Sequence, residues 1–133
     1  MPSLFIVVVA NNLDPNQVTK AFGMRPSQCW RKGEKKSFIS KGKKIITFKS
    51  KHKWGGWKYH FPSPKSEIAL VQKLTAVALK LRKRKTRLRS LVENDHHIFL
   101  ISLLQKTSTV CIPPKLHYLL GNLGINLQLD FWA

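Results

Sequence analysis

The sequence predicts an α+β fold: a ferredoxin-like split βαβ core (βαββαβ), extended by a C-terminal helix and strand, as a single sheet with helices on one face. Three observations carry this reading. Two near-continuous apolar runs, residues 4–9 (LFIVVV) and 97–104 (HIFLISLL), suit strands, the first of them buried on both faces. At the C-terminal end, Leu123, Ile125, Leu127, Leu129 and Phe131 alternate with Gly124, Asn126, Gln128, Asp130 and Trp132, the period of a half-buried strand. Helix-period stretches with their own start and stop residues lie between these strands.

The elements follow in order. Asp14 fits an N-cap and Pro15 a first helical position. Val18, Ala21 and Phe22 make one face of a short helix that Gly23 stops. Residues 25–42 have no period and read as a long basic loop, a feature often functional in a small domain. Residues 44–49 (KIITFK) read as a strand, 50–53 as a polar turn, and 54–61 (WGGWKYHF) as the second strand of a hairpin. Trp57, Tyr59 and Phe61 fall on one face of that strand, Lys58 and His60 on the other. Ser66 caps the next helix, with Glu67 in its first turn and Val71, Leu74, Ala78 and Leu81 in its apolar stripe. Lys85 would land inside that stripe. A break near residues 82–85 follows, with Leu88, Leu91 and Val92 on a shorter helix; one long helix with a snorkelling Lys85 is the alternative. Pro113-Pro114 opens a last helix with Leu116, Leu119 and Leu120, closed by Gly121 or Gly124.

With no linker in sight, residues 1–133 are expected to form one domain. Apolar residues make up 43% of the chain, enough for a core, and 7 Gly with 7 Pro argue against disorder. Charge sets the chain apart: 24 Lys and Arg face 6 Asp and Glu, a formal net of +18. Twelve of the cations fall between residues 25 and 58, opposed only by Glu34, and seven more between 80 and 89 (KLRKRKTRLR). Such blocks attract phosphate backbones, anionic membranes or acidic proteins, and the self-repulsion of +18 is itself a cost.

Several classes are disfavoured. No apolar stretch approaches the roughly 20 residues of a membrane span. The opening MPSLFIVVVANN lacks the basic start of a signal peptide, so the cytoplasm is the expected compartment. Cys29 and Cys111 read as two buried free thiols, with a single bridge between them as the alternative. His52, His60, His96 and His97 have no metal-ligand spacing, and neighbouring His96 and His97 point to opposite faces of a strand. G-x-S-x-G, P-loop and G-x-G-x-x-G signatures are absent. No enzyme, metal, cofactor or membrane partner is expected. A concave pocket where acids, His or Cys converge would point to catalysis instead.

Three segments carry a resemblance: LDPNQVTKAFGMRPSQCWRKGE over residues 13–34, WGGW over 54–57, and LGINLQLDFW over 123–132. Together they resemble an uncharacterised bacterial family, a domain of unknown function with an LDP helix, a W-x-x-G turn and a closing LG-x-x-L-x-[IL]-D strand. The matching residues are Asp14, Pro15, Gly23, Pro26, Trp30, Gly33, Trp54, Trp57, Gly124 and Asp130. Some members of that family look like immunity proteins, which bind a cognate bacterial toxin and do no chemistry.

The resemblance implies a non-catalytic binding protein, here an immunity-type inhibitor of an acidic toxin domain, because charge complementarity sets on-rate and specificity. Its expected contacts are Arg31, Lys32, Lys35 and Lys36 in the basic loop and Arg82, Lys83, Arg84 and Arg87 in the helix block, with Trp132 as an aromatic anchor. The alternative is an RNA- or DNA-binding domain that uses the same Lys/Arg surface. The first strand and the aromatic-rich strand 54–61 resemble the base-stacking strands of RNA-recognition modules, with Trp57 and Tyr59 as the stacking residues.

Overall fold

The computed structural model describes residues 2–39 and 45–132, and the side chains of 37–39 and 45–49 are left aside. The elements are β1 (Ser3–Ala10), α1 (Pro15–Phe22), β2 (Gln28–Trp30), β3 (Lys35–Ile39), β4 (Ile45–Lys51), β5 (Gly55–Phe61), α2 (Glu67–Arg82), α3 (Lys85–Glu93), β6 (His97–Gln105), α4 (Pro114–Leu123) and β7 (Ile125–Trp132). Five strands form a mixed sheet in the order β2-β5-β1-β6-β7, and β3 pairs with β4 in a separate two-stranded ribbon.

The apolar run of β1 takes the centre of the sheet. It is antiparallel to β5, with Leu4 opposite Phe61 and Val8 opposite Trp57, and antiparallel to β6, with Ile6 opposite Leu100. β5 and β6 are therefore parallel to each other across β1, joined by α2 and α3. β7 runs parallel to β6, which the intervening α4 makes possible.

The local signals explain the helices. Asp14 accepts a hydrogen bond from the Asn16 amide at 3.1 Å, Pro15 opens α1, and Gly23 closes it at φ 68°. The Ser66 hydroxyl accepts from the Ala69 amide at 3.1 Å at the head of α2. Glu67, in that first turn, titrates below the usual carboxylate range because its own backbone N–H, and then the Ser108 hydroxyl, bond its charged form. The helix breaks at Lys83–Arg84, so Lys85 starts a new helix and need not enter the apolar stripe. Of the two candidate stops for α4, Gly124 is used, at φ 74°.

One face of the sheet carries the core. Leu4, Ile6, Val8, Trp57, Ile98, Leu100 and Leu104 are buried there together with Phe22, Leu74, Leu81, Leu88 and Leu120 from the four helices. No described helix covers the other face, and β1 accordingly reads half-buried, buried, half-buried, buried along its length. That corrects the expectation of a strand buried on both faces. Phe5, Val7 and Val9 are apolar, but only one row of β1 side chains is enclosed.

Three further expectations are corrected. Residues 25–42 are not one loop: β2 and β3 lie in that stretch. Strand 54–61 does not form a hairpin with 44–49: β5 pairs with β1 and β2, while β4 pairs with β3. The sheet is not single, since the β3–β4 ribbon stands apart from the five-stranded one.

Candidate polyanion-binding surface

Two groups of cations flank α1. At its head, the Arg31 guanidinium pairs with the Asp14 carboxylate at 3.1 Å, the one ion pair among the described residues, with both side chains about half exposed. At its tail, Arg84 Nη1 donates to the Lys20 carbonyl at 3.1 Å and Arg87 Nη1 to the same oxygen at 3.4 Å. A Cβ on Gly23 would run into the Arg84 guanidinium, so this glycine serves close approach as well as the left-handed cap. Both arginines thus meet one carbonyl at the negative end of α1, where cations stabilise by about 0.3–1 kcal/mol each. Asp14 and Lys20 are six positions apart, about 9 Å along the helix, so α1 stands between Arg31 and the Arg84–Arg87 pair.

Lys80, Lys83, Arg84, Thr86 and Arg87 line an open cleft of about 540 Å³ beside the α2–α3 break. Lys83 is exposed there, while Arg84 is half-buried and meets α1; Arg82, at the end of α2, is exposed but does not line the cleft. On the other block, Lys32, Lys35 and Lys36 are exposed, the last two on the ribbon. Lys41, Lys43 and Lys44 lie outside the described residues.

The root of the ribbon is tied to the main sheet. The Gly33 amide donates to the His52 carbonyl at 3.0 Å, and the His52 amide to the Glu34 carbonyl at 2.9 Å. The His52 ring stacks on Trp30 with centroids 4.6 Å apart. Burial, and then the nearby Lys36 ammonium, hold the His52 imidazole below its ordinary pKa, with Glu34 opposing. Trp30 Nε1 donates to the Trp54 carbonyl at 3.1 Å. The Trp30 ring lies on Gly56, where a Cβ would occupy the ring's place.

The structure separates residues that the sequence reading groups together. Trp132 is exposed at 41%, but it stands on β7, the edge opposite β2. Four strand spacings, about 19 Å, divide that edge from the strand leading into the basic loop. Trp57 is fully enclosed: its ring stacks on Phe22 at 4.9 Å, and its Nε1 donates to Thr19 Oγ1 at 3.1 Å. No base can reach it, which removes it as a stacking residue. Tyr59 is half-buried on the same helix-covered face, set edge-on against Phe61 at 4.8 Å. Cys29 and Cys111 are both free, as expected, but exposed rather than buried.

The sequence reading missed the bare face of the sheet. Phe5, Val7 and Val9 of β1 and Phe99, Ile101 and Leu103 of β6 form a half-exposed apolar centre there. Lys58 and His60 of β5 stand opposite Val7 and Phe5, and Asn126, Gln128 and Asp130 of β7 lie beside Phe99, Ile101 and Leu103. The Lys58 ammonium sits 4.3 Å from the centre of the Phe5 ring, and His60 meets that ring edge-on at 5.8 Å. A signal for this face was available. Lys58 and His60 alternate with Trp57, Tyr59 and Phe61, so any strand paired with this one must show one face to water.

At one end of the bare face, Val9, Ala10, Asn11, Trp54, Asp95 and His97 line a cleft of about 420 Å³. Asp95 and His97 share its rim, but no hydrogen bond joins them among the described residues, so they form no assembled acid–base pair. Among the described residues no group of three or more His, Cys, Asp or Glu is placed to hold a metal ion. No described helix is long and apolar enough to cross a membrane.

Residues 3–133 match the family model described as "Domain of unknown function (DUF4279)". Neither the curated proteins nor the solved structures contain a match to this chain.

Proposed function

The chain belongs to the DUF4279 family of domains of unknown function, and from that premise we propose that it is a non-catalytic binding protein that holds an acidic macromolecule against its basic surface. The observation that carries this reading is the uncompensated charge: with a formal +18, the described residues form one ion pair, Arg31–Asp14. The remaining positive potential is available to an outside partner.

The resemblance favours the acidic face of a toxin domain, with the chain acting as an immunity-type inhibitor. Arg31 and Lys32 after β2, Lys35 and Lys36 on the ribbon, and Arg82, Lys83, Arg84 and Arg87 around the α2–α3 break would supply that contact. Arg31 at one end of α1 and Arg84 with Arg87 at the other support the two blocks acting together. Trp132, on the far edge, would serve as an anchor only for a partner that wraps the sheet. A nucleic acid is the second reading, and the bare, aromatic-bearing sheet face favours it. Phe5 and Phe99 then take the place expected of Trp57 and Tyr59. The order β2-β5-β1-β6 also supports reading the core as ferredoxin-like, with the short β2 in the place expected for strand 44–49.

The test is a fluorescence anisotropy titration with two labelled polyanions, poly-L-glutamate and a 20-base-pair DNA duplex, from 50 to 300 mM salt. The expected result is micromolar or tighter binding of at least one near 150 mM, weakening steeply with salt as counterions are released. Binding of neither at 150 mM would overturn the reading.

A further inference from the structure

We infer that the bare face of the five-stranded sheet is a docking surface for single-stranded RNA. The inference rests on the second reading above, a nucleic-acid partner, and names the kind of strand and the face that takes it. The face spans about 19 Å across its strands and has an apolar centre with a polar border. Phe5 and Phe99 sit on the two neighbouring central strands, and Lys58 hovers over Phe5. An ammonium on an aromatic ring beside a row of half-exposed apolar groups is suited to a nucleotide. A phosphate draws the lysine off the ring, and a base takes its place on the π-face.

Three features select the occupant. A second copy of the chain would bring another +18 against the first, so self-association through this face is opposed by charge. A duplex keeps its base faces stacked inside the helix and has none to lay on Phe5 or Phe99, whereas unpaired bases expose both of their faces. The third feature is the β7 border. Asn126 Nδ2 donates one hydrogen to the Ile98 carbonyl at 3.1 Å and Gln128 Nε2 one to the Asp130 carboxylate at 2.9 Å. Each amide keeps its oxygen as an acceptor. A ribose 2′-hydroxyl can donate to such an oxygen, and deoxyribose has no such donor. At the opposite border, Trp30, His52 and Lys36 bring the root of the basic ribbon to the face.

The experiment compares a labelled 12-nucleotide single-stranded RNA of mixed sequence with the same sequence as DNA and as an RNA duplex, at 150 mM salt. The protein is used in four forms: wild type, the double variant F5L/F99L, K58Q and K115Q. Leucine keeps the apolar surface and removes the ring; Lys115 is an exposed residue of α4, on the helix side, and matches the charge lost at Lys58. The expected results are tightest binding to single-stranded RNA, about tenfold weaker binding by F5L/F99L, and a larger loss in K58Q than in K115Q. Circular dichroism confirms that the variants fold. Equal affinity for single strand and duplex, with F5L/F99L unchanged, would overturn the inference while leaving the polyanion reading in place. Equal affinity for RNA and DNA strands would overturn the ribose assignment. Binding of poly-L-glutamate but of no nucleic acid would overturn the inference in favour of an acidic protein. Failure of every polyanion to bind would overturn both.

Discussion

The two faces of the five-stranded sheet are built from the same kinds of residue in alternation along β1, yet they have different fates. Leu4, Ile6 and Val8 are at most 1% exposed, while Phe5, Val7 and Val9, their immediate neighbours in sequence, stay half-buried. The difference lies across the strands. The enclosed row meets Phe61, Tyr59 and Trp57 on β5; the other row meets His60, Lys58 and Gly56. β7 repeats the contrast, with Ile125, Leu127 and Leu129 inward and Asn126, Gln128 and Asp130 outward. An apolar strand alone does not decide which side is covered. Its cross-strand partners do, because burying an ammonium or an unpaired amide costs more than a second row of valines returns.

The strongest way to break this comparison is to truncate one large ring on each face. Trp57→Ala should destabilise by about 3–5 kcal/mol, since it empties an enclosed site and strands the Thr19 hydroxyl. Phe99→Ala should cost about 1 kcal/mol, the scale of a half-exposed cross-strand contact. Urea unfolding measures both, and equal losses would mean that the second face is covered in solution.

Gly56→Ala sharpens the comparison at the boundary. The added methyl displaces the Trp30 ring from the sheet, an overpacking cost of about 1–3 kcal/mol. It should also shift tryptophan fluorescence to the red.

Hydrogen bonds give a smaller contrast. Thr19→Val leaves the enclosed Trp57 N–H without its acceptor and should cost about 1–2 kcal/mol. Ser27→Ala removes the acceptor of the His60 amide at an exposed site and should cost under about 0.5 kcal/mol.

The smallest effect is a titration. The fold lowers the His52 pKa, so the neutral ring is the form the native state favours. Its contribution is complete above the unfolded value of about 6.5 and is lost as pH falls from there through the folded value. An NMR titration should place the His52 midpoint below 6.5, and replacing Lys36 with Gln should move it upward.

Local structure was the legible part of this sequence. Asp14, Pro15, Gly23 and Ser66 mark helix ends by short-range hydrogen bonding, and they act where the pattern puts them. Lys85 foretold the α2–α3 break because a cation cannot occupy a core stripe at low cost. The β7 alternation was legible for the same reason. Strand pairing was not. KIITFK and WGGWKYHF look like hairpin partners because they are adjacent, but pairing is decided by what else can cover each strand, and β1 claims β5. The three residues of β2 are too few to show a period among prolines and lysines. The candidate site was half legible. Clustered cations announce a positive surface, but the sequence does not reveal that Arg84 and Arg87 also hold α1 in place. Nor does it reveal that Phe5 and Phe99 stand half-buried on the uncovered face, while Trp57 is enclosed.

The most direct test of the account is an amide shift map of the labelled protein titrated with the 12-nucleotide single-stranded RNA. Shifts concentrated at Phe5, Val7, Lys58, Phe99 and Ile101, with Ala21 and Leu120 of the helix layer unmoved, are the predicted result. Shifts confined to α1 and the α2–α3 break would contradict it and return the binding site to the helix side.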